Sequence, residues 1–228
     1  MPPVRRFIPA FAALFALAAA APAGATIKEI GLPSGEKSLP APSCPTNCQA
    51  IDQVTGYQVQ IGKAKNPYLM HSKGRIVAFS IALGKPNAKQ TKFFTNLFGM
   101  KPTARLSIIH LGHHNRQATL KAQSGTFDLT NYLGSTPQFA LNKALRVGPR
   151  DVVALTVPTW APAFAVKLGQ DQAWRSSRSS NACNNVQQMA AQQTLRTTRS
   201  YGCFYRTARL LYSATFIPDP KPTKTTKK

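Results

Sequence analysis

The 228-residue sequence predicts an all-β protein, an antiparallel sandwich of jelly-roll-like or immunoglobulin-like kind with one or two short helical insertions. Three observations carry that prediction. Apolar residues recur every second position over short stretches, which gives a strand one apolar and one more polar face. Glycines at 74, 84, 112, 125, 134, 148 and 169 punctuate those stretches as turn signals. The intervals between them leave no room for the helices that an α/β sheet places between consecutive strands.

The strands follow in chain order. "YQVQIG" is the first, and "GRIVAFSIAL" sets Val77, Phe79, Ile81 and Leu83 on one face against Ile76, Ala78, Ser80 and Ala82 on the other. "ARLSIIHLG" and "ATLKAQS" read as a strand and its return, joined by the turn-like "GHHNRQ", where Gly112 and Asn115 tolerate positive φ. "QFALNKALRV" comes next. "DVVALTV" alternates through Val153, Leu155 and Val157, and "AFAVKLG" through Phe164, Val166 and Leu168 with Lys167 opposite. "ARLLYSATFI" aligns Leu210, Tyr212, Ala214 and Phe216, leaving Ser213 and Thr215 on the other side. Two stretches supply the one or two short helical insertions. "NAKQTKFFTNLFG" opens on an Asn cap, closes on Gly99, and spaces Phe93, Phe94, Leu97 and Phe98 as one helix face, a short lid on a sandwich edge. "NNVQQMAAQQTLR" is rich in Gln and Ala and reads as a second, mobile helical insertion.

The ends of the chain are of another kind. Arg5 and Arg6, then the 15-residue apolar run "FIPAFAALFALAAAA", then small residues with Ala23 and Ala25 in Ala-x-Ala spacing form a secretory signal peptide over residues 1–25. The run is shorter than the roughly 20 residues a spanning helix needs. Cleavage is placed after Ala25, with Ala23 as the second choice. Residues 26–43, rich in Pro, Gly and Ser, read as a linker or loosely held arm, residues 44–217 as the sandwich domain, and residues 218–228 as a disordered basic tail. In an exported chain, four cysteines imply two disulfides. Cys44–Cys48 and Cys183–Cys203 are the favoured pairs, because each closes a short loop. The rival is one zinc held by all four thiolates, and the second pair lacks the close spacing such a site uses.

Charge defines the partner classes. Lys and Arg number 29 against seven carboxylates, for a formal charge of +22, or +20 without Arg5 and Arg6. Such a surface attracts polyanions: acidic envelope polysaccharide, phosphate polymers, anionic lipid heads or extracellular DNA. The bases are spread from Lys28 to Lys228 rather than clustered, which favours diffuse charge over a shaped nucleic-acid groove and makes any nucleic-acid binding nonspecific.

Three of the four histidines, His110, His113 and His114, lie in "HLGHHN". No Asp, Glu or Cys falls within ten residues of them, and Arg105, Arg116 and Lys121 flank them. The cluster therefore reads as a basic hairpin tip rather than a metal site, and neither a metal nor a cofactor is expected. Catalysis has few groups to draw on. There is no Gly-x-Ser-x-Gly elbow and no Gly-rich phosphate loop. A secreted hydrolase would have to combine Asp151 or Asp171 with a histidine. Two aromatic-basic stretches are better candidates. "VPTWAPAF" puts Trp160 between Pro158 and Pro162, and because prolines avoid central strands this places it on an edge or rim. "DQAWRSSRSSN" groups Trp174 with Arg175 and Arg178 among hydroxyls and amides, a set able to stack a sugar ring and hold an anion. The competing reading has Trp174 plug the end of the sandwich with Arg175 covering it.

"TGYQVQIG", "ALTVPTWAPAFAVKLG", "AWRSSR" and "TARLLYSATF" together resemble a group of uncharacterised secreted bacterial proteins with a β-sandwich core, over roughly Cys44 to Pro218. The resemblance implies the fold and export but brings no activity and no site residues. The pattern is also loosely similar to jelly-roll accessory domains that bind carbohydrate, a likeness of architecture only. The expectation is thus an exported, non-catalytic β-sandwich that associates with anionic or carbohydrate envelope surfaces through Trp160, Trp174, Arg175 and Arg178. The alternatives are the hydrolase and an extracellular nucleic-acid binder driven by charge.

Overall fold

The computed structural model describes residues 26–112 and 116–220. The signal peptide, His113, His114 and the tail from residue 221 lie outside the described residues. The described chain forms strands β1 (Lys28–Ile30), β2 (Ile51–Ile61), β3 (Ala64–Lys65), β4 (Gly74–Ile81), β5 (Thr103–Leu111), β6 (Gln117–Gln123), β7 (Phe127–Asp128), β8 (Gln138–Val147), β9 (Asp151–Ala161), β10 (Phe164–Val166), β11 (Gln172–Ser176), β12 (Thr198–Ser200), β13 (Cys203–Arg206), β14 (Ala208–Leu210) and β15 (Tyr212–Pro218). One α-helix, α1 (Ala88–Phe98), interrupts them.

Every strand pairing is antiparallel. The smaller sheet runs β1-β15-β4-β8 and the larger β12-β6-β5-β9-β2-β11-β13, with β3 beside β2 and β7 beside β5. The alternating sets predicted from sequence make the layer between them. Ile76, Phe79, Ile81, Leu145 and Phe216 of the smaller sheet share one core with Leu106, Ile108, Val153 and Leu155 of the larger. In β4 the alternation breaks once. A bulge between Ile76 and Ala78, opposite β8, turns both Ile76 and Phe79 inward and leaves Val77 half-buried. Tyr212 of β15 crosses the core and donates its hydroxyl to Val153 O of β9 at 2.9 Å, a polar tie between the sheets.

The β10–β14 ribbon bends off β9 and β15 and closes one end of the sandwich. It is held to the larger sheet by the buried side chain of Gln58, which donates to Ala208 O and accepts from Leu210 N, both at 3.0 Å. Both disulfides form as the loop lengths suggest, Cys44–Cys48 and Cys183–Cys203.

Three expectations change. The arm is not a free linker: β1 pairs with β15, and Glu36 accepts two hydrogen bonds from the buried Arg209. Helix α1 forms with the Asn87 cap, but only Phe94 and Phe98 are buried, while Phe93 and Leu97 face outward. The second helix is absent, because its backbone groups bond to the larger sheet instead. Ala190 N donates to Gln53 O at 2.8 Å and Gln192 N to Thr55 Oγ1 at 2.9 Å. The Gln192 side chain is fully buried and binds Thr197 O, Ala118 O and the Tyr201 hydroxyl. Residues 184–197 thus lie as an irregular, turn-containing strap over the outer face of the larger sheet, above the hydroxyl row of Thr55, Thr156 and Ser107.

Candidate functional site

The four residues singled out by sequence do not form one surface. Trp160 is fully buried. It lies on β9, a central strand between β5 and β2, which corrects the edge placement inferred from its prolines. Pro158 is tolerated because the β5 ladder stops at Thr156 and β2 bulges around Gln53, opposite Pro158 and Thr159. Trp160 packs on Phe94 and Phe98 of α1, and its Nε1 donates to Gly99 O at 3.1 Å. It is the floor of the helix, not a contact residue.

Trp174 and Arg175 are consecutive in β11 and so point to opposite faces. Trp174 faces the core. Its ring stacks on Tyr205 at 4.6 Å and meets the edge of Phe164 at 5.6 Å. Gly56 lies beneath it, where an added Cβ would come within 3.0 Å of the indole. Trp174 is therefore the plug of the sandwich end, with only its edge available. Arg175 does not cover it. Its guanidinium lies 5.0 Å from the centroid of the Phe204 ring on the outer face, and Arg206 lies 5.1 Å from the same ring.

Trp174 and Arg178 do come together. Both line a cleft of about 390 Å³, with Phe164, Lys167, Tyr205, Arg206 and, from the start of β2, Asp52. Arg178 is buried and bonded to the Asp52 carboxylate, and it also donates to Asp52 O at 3.2 Å and Val186 O at 3.4 Å. Burial raises the Asp52 carboxyl above the ordinary carboxylate range, and the charge and hydrogen bond of Arg178 offset only part of that rise. The Cys183–Cys203 disulfide borders the cleft through Cys183.

Two features mark this cleft. Trp174 Nε1 and Arg178 Nε are buried with no acceptor among the described residues, and an unmet buried donor costs free energy. Left-handed backbone also gathers here: Gln53, Lys167 and Thr207 are three of the six non-glycine residues with positive φ among those described. Such conformations persist where surrounding structure enforces them, often at binding sites. Lys167 and Arg178 against Asp52 leave the lining net positive, and Arg206 borders it with its guanidinium turned to Phe204 and Gln170 O. Asp52, Lys167 and Arg206 were not singled out by sequence reasoning, since nothing local marks an Asp that opens a strand or a Lys that ends one; Tyr205 beside Cys203 reads from sequence as packing, and it does pack on Trp174.

The histidine cluster resolves in part. His110 Nδ1 is 2.7 Å from Asp151 Oδ1, an acid 41 positions away in sequence that its neighbours gave no hint of. The other Asp151 oxygen takes Lys121 Nζ at 2.6 Å and Gly148 N at 2.8 Å. Asp171 lies apart, in the exposed turn before β11. No group of three His, Cys, Asp or Glu side chains able to hold a metal gathers among the described residues.

Fold and site together define an antiparallel, disulfide-stapled β-sandwich with a positively lined cleft at one end. No protein-family model, curated protein or solved structure matches the chain.

Proposed function

We propose that this is an exported, non-catalytic protein that binds acidic polysaccharide of the cell envelope, taking one acidic sugar unit into the cleft beside Trp174. The single observation that carries the reading is the pairing of an aromatic wall, Trp174 on Tyr205, with the cations Lys167 and Arg178 around one cleft. The indole edge and the Tyr205 ring give a sugar an apolar surface to lie against, and the Lys167 ammonium suits a carboxylate or sulfate. Asp52 is already committed to Arg178, and the Arg206 guanidinium lies over Phe204 and donates to Gln170 O at 3.1 Å, so Lys167 remains to meet an incoming anion. Two disulfides support an extracellular or envelope setting.

The hydrolase reading rests on the His110–Asp151 pair. It has less support, because both Asp151 oxygens are engaged and no hydroxyl hydrogen-bonds to His110 among the described residues. The test of the binding reading is titration with a carboxylated polysaccharide, its uncharged counterpart and duplex DNA at two salt concentrations. The acidic polysaccharide should bind most tightly at low salt and lose affinity as salt rises. Equal binding of the uncharged polymer, or preference for DNA, overturns the proposal.

A further inference from the structure

Helix α1 is fixed on its inner side and bare on its outer side. The Asn87 capping box starts it, Phe94 and Phe98 seat it on Trp160, and Gln90 Nε2 donates to Pro45 O at 2.8 Å. One flank carries Phe93 at 56 % exposure and Leu97 at 40 %, next to the outward Lys89 and Lys92, and just past the helix Met100 stands at 82 %. Exposed single hydrophobics are ordinary. Here three large ones follow each other at four- and three-residue spacing, on an element that packing already holds rigid.

The surrounding charge indicates what covers them. From Lys85 to Lys101 the chain has four lysines, at 85, 89, 92 and 101, and no carboxylate. Lys89 and Lys92 are exposed beside the apolar residues, and the nearby Asp128 is paired with Lys101 at 3.0 Å. An apolar ridge rimmed by lysines matches the interface of an anionic bilayer, where side chains such as Phe and Leu enter the headgroup boundary and ammonium groups meet lipid phosphate. A second copy of the chain is disfavoured as the occupant, since pairing this face with itself would oppose Lys89 and Lys92 with their own duplicates. We propose that α1 docks the protein on anionic lipid, with Phe93, Leu97 and Met100 inserted and Lys89 and Lys92 on the phosphates. This site is separate from the cleft beside Trp174 and does not depend on that reading.

The test uses the full chain with vesicles of phosphatidylglycerol or phosphatidylcholine. Wild type should bind the phosphatidylglycerol vesicles in preference. A Phe93→Gln/Leu97→Gln/Met100→Gln variant, altered only at exposed positions, should keep the wild-type melting temperature and bind them at least about tenfold more weakly. Lys89→Gln/Lys92→Gln should weaken binding and flatten its salt dependence. In a Phe93→Trp variant, brominated phosphatidylglycerol should quench the added emission. Unchanged binding by the triple variant, no quenching beyond that of wild type, or equal binding to phosphatidylcholine overturns the proposal. So does a wild-type dimer that the triple variant abolishes without any vesicle binding.

Discussion

At the scale of single residues, Asp52 and Arg178 are the pair on which the cleft depends. Each is desolvated, and each is compensated chiefly by the other. Removing one partner leaves a buried charge alone, a change that costs about 3–5 kcal/mol. Asp52→Ala should therefore lower the urea midpoint far more than a surface Asp→Ala does, and an unchanged midpoint would count against the burial described. The pH dependence has a definite sign. The folded-state pKa of Asp52 is raised, so the folded protein holds this proton more tightly than the unfolded chain. The contribution favours folding below the ordinary carboxylate value and fades as pH rises through the raised one. Wild type should lose stability over that window relative to Asp52→Asn, measured by urea unfolding across a pH series. Trp160 makes the contrast at this scale. As a fully buried core residue its change to Ala should cost about 3–5 kcal/mol, without the direct loss of ligand contact expected of a rim residue.

Among the elements, the strap of residues 184–197 separates what composition suggests from what packing decides. Gln and Ala favour a helix, but a helix there would leave Thr55 Oγ1 and Gln53 O on β2 without Gln192 and Ala190. Tertiary hydrogen bonds took precedence over a weak local preference. The Cys183–Cys203 bond closes a loop of sequence separation 20 around this strap, which the chain-entropy estimate values at about 3 kcal/mol. A Cys183→Ser/Cys203→Ser variant should melt lower, and hydrogen exchange should speed up first at the amides of Ala190 and Gln192. Exchange that accelerates uniformly instead would show that the strap is not a separate unit. Helix α1 illustrates the opposite case. Asn87, Gln90 and Gly99 are local signals, and the helix obeys them.

For the whole molecule, the fold class was legible because alternation is a property of each strand alone. Leu210, Tyr212, Ala214 and Phe216 point inward as their spacing requires. The site was only half legible, because it is made by pairings that no local pattern encodes. Strand alternation divided Trp174 from Arg175, the bulge at Gln53 carried Asp52 beneath Arg178, and the antiparallel partnership of β5 and β9 set His110 against Asp151. Prolines beside Trp160 misled, because a bulge and a finished ladder remove the cost of Pro158 in a central strand. Net charge was legible, but not which cations the fold brings to the cleft. The chain has two tryptophans, one sealed under α1 and one in the cleft wall. In a Trp160→Phe background the emission of Trp174 therefore reports on the cleft alone. The most direct measurement is titration of that protein with a carboxylated oligosaccharide, with and without Lys167→Gln. A saturable change in emission that the substitution weakens at least about tenfold is the predicted result, and an emission that does not respond, or responds equally in both proteins, would contradict it.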